Sequence, residues 1–487
     1  MRNVNPELQL LAPAALNTLN PVRLALALAL APSLHAQSPA PNANMRQFVS
    51  VNEPILALTN ARVIDGTGAA MRSNQTIIIH DGRIEAVAPA ASARIPAGAK
   101  IIDLAGHTVL PGQVGLHEHT YFGGVARVTQ MSTAAPLLYL AFGVTTAMTA
   151  GSQLPSQEAA MARALAAGEI PGPKFYYAGA YLNGPAAPGA FWLSARTPDE
   201  ARRNITALAK DGATWVKFLG EQSREVLRAS IEHAHSLGLK VTGHLCSVTF
   251  SEAASFGIDL LQHGFITNSE YVPGKQPDVC PRGNMRAQAD VDVTSTAIQA
   301  SIRAIVAGKA AVASTLAAYE TFSPDRMKLD PRALEFLAPG ARREVERNHA
   351  NIAATGLVVP ERLLKKMMAW ERAFVAAGGL LGAGCDPWGT GLLPGVGNLR
   401  NFELLIEAGF TTQQVVQIMT LNGARILGIA DRTGSIEPGK AADIMIVRGN
   451  PGASPSDIYN VVTVFRDGVG YDSEKLRAAA KGRVGAN

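Results

Sequence analysis

The chain has 487 residues, 47% hydrophobic and 17% charged, a composition that fits a globular protein and excludes a disordered or fibrous one. Its 44 basic and 39 acidic residues leave a net charge of +5 without a dense Lys/Arg block, so no nucleic-acid partner is expected. Length alone suggests about three domains, a prior that α/β barrels often break.

The first segment to stand apart is PVRLALALALAPSLHAQSPAP, with Arg23, an apolar run from Leu24 to Ala31 and a small-residue site at Ala36. The run is too short for a bilayer, which takes about 20 apolar residues, and fits an export signal peptide over 1–36. The expected location is periplasmic or secreted, with no membrane span in the mature chain. Residues 37–53 read as a linker rich in Pro, Ala and Ser. Over 54–110, runs such as TIIIHDGRIEAVAP between Gly, Pro and Asn turns predict β-hairpins. Over 111–433, eight apolar runs alternate with helix-like segments: TVLPGQVGLHEH, VTTAMTA, KFYYAGAYL, TWVKFLG, LKVTGHLC, IDLLQHGF, KAAVASTL and GGLLGAGCD. The β pattern returns over 434–475, and 476–487 read as a C-terminal tail. Eight strands with intervening helices predict parallel βα units, hence an α/β fold built on a (β/α)8 TIM barrel.

Only ten histidines occur in the chain, yet His117 and His119 flank Glu118 in GLHEHTYFGG. Residues two apart on a strand project to the same side, so both imidazoles are expected in one cavity. His119, Lys217, His244, His263 and Asp386 each lie at or near the C-terminal end of a predicted strand. In a (β/α)8 barrel those ends gather at one face, where active sites lie. Taken singly, each residue is more often a structural hydrogen-bonder. Five strands delivering polar groups to one mouth is the informative pattern, and imidazole with carboxylate suits Zn²⁺ or a similar divalent ion. The bland reading of Lys217, a surface lysine, fits poorly with its apolar run. Cys246, Cys280 and Cys385 cannot all pair, so at least one free, buried thiol is expected, and no CxxC spacing favours metal ligation. His233 and His235, two apart on a predicted helix, face different sides.

The order His-x-His, Lys, His, His, Asp resembles the amidohydrolase superfamily of the binuclear kind, in its metal-dependent dipeptidase and imidazolonepropionase-like branch. The element DRTGSIEPGKAADIMIVRGNP is similar to the strand that completes the small β-sandwich these enzymes build from both chain ends. A β-sandwich shared by 54–110 and 434–475 is therefore implied. The resemblance also implies two divalent metal ions, with zinc the expected one. His117, His119 and Asp386 would hold the more buried ion, and His244 and His263 the second. Lys217 would be carboxylated on Nζ and bridge the two, because an ammonium would be repelled there. Water shared by the ions would attack a carbonyl carbon, with Asp386 passing its proton to the departing nitrogen. The chain departs from the family's Pro-Gly-(apolar)-Ile-Asp-x-His-x-His at Gln113 and Gly115, and from Gly-Thr-Asp-Ala at GCDP. Glu118 should face away from the cavity and needs a cation or water there.

Recognition is less legible. The insert between the seventh and eighth strands, Ala317 to Ala376, is long for a βα connection. It predicts a helical lid, one of whose arginines could clamp a substrate carboxylate. Tyr121 and Tyr319 are the candidate substrate-binding residues at the mouth. The expected function is hydrolysis of an amide or peptide bond in a dipeptide or N-acyl amino acid. One alternative in the same fold opens a cyclic amide or imidazolone, and another is a non-catalytic binding relative. The expected partner is a small-molecule amide or peptide, and a homo-oligomer is left open.

Overall fold

The computed structural model describes residues 42–124, 127–184, 192–281, 283, 287–326, 328–352 and 358–486. The expected signal peptide lies outside the described residues. Each of the eight apolar runs contains a strand: Gln113–Glu118, Val144–Thr149, Lys174–Tyr177, Trp215–Phe218, Lys240–Gly243, Leu260–Gln262, Ala311–Ser314 and Leu381–Ala383. Six of them are buried at every position. Continuous apolar runs, rather than alternating ones, are what a sheet covered on both faces requires.

The first three strands pair in parallel in chain order, as do the fourth to the eighth. The eighth strand meets the first at Ala383 and Gly115. The third reaches the fourth where the Thr214 N–H donates to Tyr177 O at 3.0 Å and Leu182 pairs with Phe218. The domain is α/β and TIM-barrel-like. Its helices are amphipathic in the usual way. Pro198–Lys210 starts at Thr197, whose side chain accepts from the Glu200 N–H, and buries Ala201, Ile205 and Leu208.

Strands from both chain ends share a second, mixed sheet. Among the described residues it contains Val49–Val51, Ile55–Val63, Arg72–His80, Arg83–Pro89, Lys100–Asp103, His107–Pro111, Ile444–Arg448, Val461–Arg466 and Val469–Asp472. Leu56, Leu58, Ile77, Ile79, Ile446 and Phe465 form part of its separate apolar core. Its seam with the parallel sheet is short, because Ile444 pairs with Pro111 and the first parallel strand begins at Gln113. The hairpin between the third and fourth strands turns at Asp81 and Gly82, with φ of 47° and 76°. Both values are left-handed, as a two-residue type I′ hairpin needs.

Two expectations are corrected at the chain ends. The segment 37–53, expected to be a linker, contains the helix Ala43–Arg46 and the strand Val49–Val51, which pairs with Val469–Asp472. Met45 and Phe48 are buried in the main core, which is what orders it. The expected tail belongs in part to the helix Ser473–Ala480, which packs on the helix Ala134–Ala141 and buries Leu476 and Ala480, and Val484 beyond it is buried too. Among the described residues, no helix is long and apolar enough to cross a membrane.

Candidate active site

His117 lies near the end of the first parallel strand and His119 just beyond it. The His117 Nδ1 is 2.7 Å from Gln262 Oε1, while the Gln262 amide N–H group donates to Thr242 Oγ1 and Leu116 O. Since that oxygen can only accept, His117 Nδ1 carries the proton and Nε2 presents a lone pair. His119 is set the same way, with Nδ1 donating to the Gly151 carbonyl at 3.1 Å. The Tyr139 hydroxyl donates to His119 O and accepts from His119 N–H, clamping the backbone of that residue. Both Nε2 atoms face Asp386 Oδ1, at 3.4 Å from His117 and 3.1 Å from His119. These three residues offer ligand atoms within 4.8 Å of one another, a group that could hold a metal ion.

Asp386 follows the eighth strand with φ of 49°, an uncommon conformation for a residue with a side chain. Its N–H donates to His117 O at 2.8 Å, so the first and eighth strand ends are tied at the site. Burial pushes the Asp386 carboxyl up, but the surrounding imidazoles outweigh this and hold it well below the usual carboxylate range.

The structure brings the remaining expected residues to the same place. The His263 ring lies 4.5 Å from that of His117 and 4.7 Å from that of His244, with His263 Nδ1 at 2.8 Å from Thr315 Oγ1. Burial pushes His117 and His263 well below the ordinary imidazole value and His244 down to about 4, which leaves neutral rings, the form that binds metals. Lys217 is 1% exposed, and its Nζ has no hydrogen-bond partner among the described residues. Burial pushes that amine down to about 7, partly offset by the Asp386 charge.

Tyr121 lies 4.9 Å from the His119 ring and shares a 2.8 Å hydrogen bond between hydroxyls with Tyr181. Tyr181 in turn lies 5.5 Å from Trp192. Tyr319 presents its ring edge-on to His263 at 5.4 Å. Tyr181, Tyr139, Gln262 and Thr315 escaped the sequence reading. Tyr181 had a signal, since it lies near the end of the same apolar run as the third strand. The others are ordinary polar residues whose partners are distant in the chain.

The protein groups that Glu118 meets are an amide and a thiol, which the sequence reading did not name. Glu118 is fully buried and accepts from Asn398 Nδ2 at 2.7 Å and from the Cys385 thiol at 3.1 Å. Cys385 is the buried free thiol, and Cys246 and Cys280 form a disulfide. The insert forms the helices Leu316–Glu320, Pro331–Leu334, Pro339–Ala350 and Glu361–Ala376 among its described residues. Its Arg326 is bonded to Glu320, Glu361 and Glu407, and Arg332 to Asp330, so both are already committed. A cavity of about 840 Å³ beside them is lined by Glu320, Arg326, Asp330, Arg332, Arg400 and Glu403 among others, and by none of the clustered histidines.

A TIM-barrel-like protein whose strand ends gather a group of side chains that could hold a metal ion is the class that fold and site define. A model of the amidohydrolase family matches residues 356–470, the segment holding the eighth strand, Asp386 and the C-terminal part of the mixed sheet. No curated protein matches the sequence. Among solved structures, a Bifidobacterium longum protein assigned as a prolidase is 24% identical, with a TM-score of 0.63, covering 88% of this chain and 98% of its own. A Xaa-Pro dipeptidase with methionine bound in its active site is 20% identical, with a TM-score of 0.64 and coverage of 86% and 100%. A bottromycin amidohydrolase is 18% identical, with a TM-score of 0.66 and coverage of 91% and 95%. The match to the amidohydrolase family is confined to residues 356–470, and the likeness to the solved structures, each under 25% identical, shows a shared fold.

Proposed function

We propose that this protein is a metal-dependent hydrolase that cleaves the amide bond of a dipeptide or N-acyl amino acid. The observation that carries the reading is Lys217 Nζ, buried without a hydrogen-bond partner among the described residues in the cluster of His117, His119, His244, His263 and Asp386. An ammonium there would be a costly occupant. The neutral amine that burial favours is the form that adds CO₂. An N–C bond forms, a proton leaves, and the anionic carbamate brings two oxygens to a donor set otherwise dominated by imidazole. The residues present thus fit two divalent ions. His117, His119 and Asp386 would hold one, His244 and His263 the other, and carboxylated Lys217 both, with zinc suited to such N/O donors.

Ions bound there supply Lewis acidity and bring the pKa of water from near 16 toward 7. The chain's own residues then manage protons and orientation. Asp386, held as an anion at the strand end, takes the proton of the attacking water and returns it to the leaving nitrogen. Without that proton the amine would have to leave as an anion. Gln262 and the Gly151 carbonyl keep the two imidazoles turned with Nε2 toward Asp386. Tyr121, whose hydroxyl burial keeps protonated, and Tyr181 place phenol donors beside His119 for a substrate carbonyl. With Trp192 they make an aromatic wall suited to a bulky acyl or aromatic partner. The dipeptidase and prolidase names of the structural neighbours support the substrate class. We read the eight parallel strands as a closed barrel and the mixed sheet as the β-sandwich of this family.

The test is to chelate the purified protein, reconstitute it with Zn²⁺, Co²⁺ or Mn²⁺, and screen dipeptides, N-acyl amino acids and cyclic imides. About two ions per chain and metal-dependent hydrolysis of linear amides are expected. A metal-free enzyme with full activity would sink the site. Preference for a cyclic substrate over every linear one would transfer the substrate reading to ring opening.

A further inference from the structure

We infer that Glu118, although it points away from the cluster, is a positioning residue that holds Asp386 in place, and that Gly115 is glycine to make room for it.

In an unbroken strand, positions 115 and 118 would face opposite sides, because side chains alternate. The pairing with the second strand shows why they do not. Gly115 pairs with Ala147 and Glu118 with Thr149, so three steps on one strand oppose two on the other. This bulge reverses the alternation and sets Glu118 on the same side as Gly115. A Cβ placed on Gly115 would collide with the Glu118 carboxylate, so any side chain there would expel it. The family pattern has an acidic residue at position 115. In this chain that position is empty of side chain, and a carboxylate from position 118 occupies the adjoining space.

The carboxylate sits between two segments that converge on the site. Its Oε2 accepts from the Cys385 thiol, one residue before Asp386, and its Oε1 accepts from Asn398 Nδ2. Asn398 cannot turn its amide over at no cost, because its Oδ1 accepts the Gly395 N–H at 3.1 Å. Glu118 therefore ties the first strand to the turn after the eighth strand and to the helix Val396–Glu407. Asp386, with its positive φ, lies on that turn. A left-handed aspartate persists only where its surroundings over-determine it, and Glu118 and the His117 carbonyl do so from the residues on either side of one bond.

This inference rests on the metal reading of the site but not on the substrate. Four proteins test it: wild type, Glu118→Ala, Gly115→Asp, and the double variant Gly115→Asp/Glu118→Ala. Each is measured for ion content, Co²⁺ absorption spectrum, thermal midpoint, kcat and KM. Glu118→Ala should lose about tenfold or more in kcat with KM within about threefold, and show an altered Co²⁺ spectrum. Gly115→Asp, with two carboxylates competing for one space, should have the lowest midpoint and ion content. The double variant, with one carboxylate returned from the other position, should recover most of the lost kcat, midpoint and wild-type spectrum. A double variant no better than Glu118→Ala would overturn the inference, as would a harmless Gly115→Asp. Wild type that binds no ion would overturn the metal reading itself, a different result from variants that bind and work as wild type does.

Discussion

Replacing Lys217 by methionine should move stability and activity in opposite directions. Methionine has nearly the same length and no charge, so it fills the same space in the strand Trp215–Phe218. Lys217 Nζ is buried without a hydrogen-bond partner among the described residues, and chelation leaves it so. Burying a polar group unsatisfied costs about 1–3 kcal/mol, which the substitution removes. For roughly 450 residues from Ser38 onward, unfolding entropies near 2.1 cal/mol/K per residue convert this to a rise of about 1–3 °C in the midpoint. With metal present the sign reverses, because wild type gains the binding free energy of ions that the variant cannot hold through a carbamate. The assay is scanning calorimetry of both proteins at one scan rate, chelated and reconstituted, alongside elemental analysis. A chelated variant less stable than chelated wild type would show that Nζ has a stabilising partner, and the reasoning would fail. A reconstituted variant with wild-type ion content and turnover would remove Lys217 from the site.

Lys217→Arg should remain inactive under all metals, since guanidinium stays charged and forms no carbamate; an active arginine variant refutes the bridging role. Glu371, buried on the helix Glu361–Ala376, accepts from Ser314 Oγ at 3.0 Å, and its other oxygen has no hydrogen-bond partner among the described residues. Burial pushes its carboxyl up to about 8, above the unfolded value of about 4.3, so its contribution is most favourable in acid and is lost as pH rises from there through about 8. Glu371→Gln should therefore gain on wild type with rising pH, by on the order of a few kcal/mol at pH 8, whereas parallel midpoint curves from pH 5 to pH 8.5 would refute the titration. If the substrate carries a free carboxylate that the protein pairs, converting it to a neutral amide should cut kcat/KM by roughly ten- to a hundredfold. Equal rates on acid and amide would show that no such pairing exists, and the internal pairing of Arg326 and Arg332 already narrows where it could lie.

The eight parallel strands were legible because burial on both faces demands unbroken apolar runs, and a run such as TWVKFLG leaves little else to be. The burial of Lys217 was legible for the same reason, since it stands as a lone amine in an apolar run. The histidine cluster followed from strand ends gathering at one face. The chain termini were misread because Met45 and Leu476 are apolar residues between polar neighbours and Phe48 opens only a short apolar stretch, and only the packed structure shows the surface that receives them. The residues that orient the site were illegible in another way. Gln262, Tyr139 and Thr315 act on His117, His119 and His263 through contacts that chain order does not announce.

Glu118 shows where the limit lies. Strand alternation correctly turns it away from the histidines, and a buried carboxylate was correctly expected to need a partner. The identity of that partner depended on a bulge of one residue, which a period of two cannot register, and on a glycine whose meaning is the absence of a side chain. Gly115 and Glu118 each look like a departure from the family pattern when read alone. Placed on the same side of one strand, they account for each other, and the carboxylate they accommodate reaches the turn that carries Asp386.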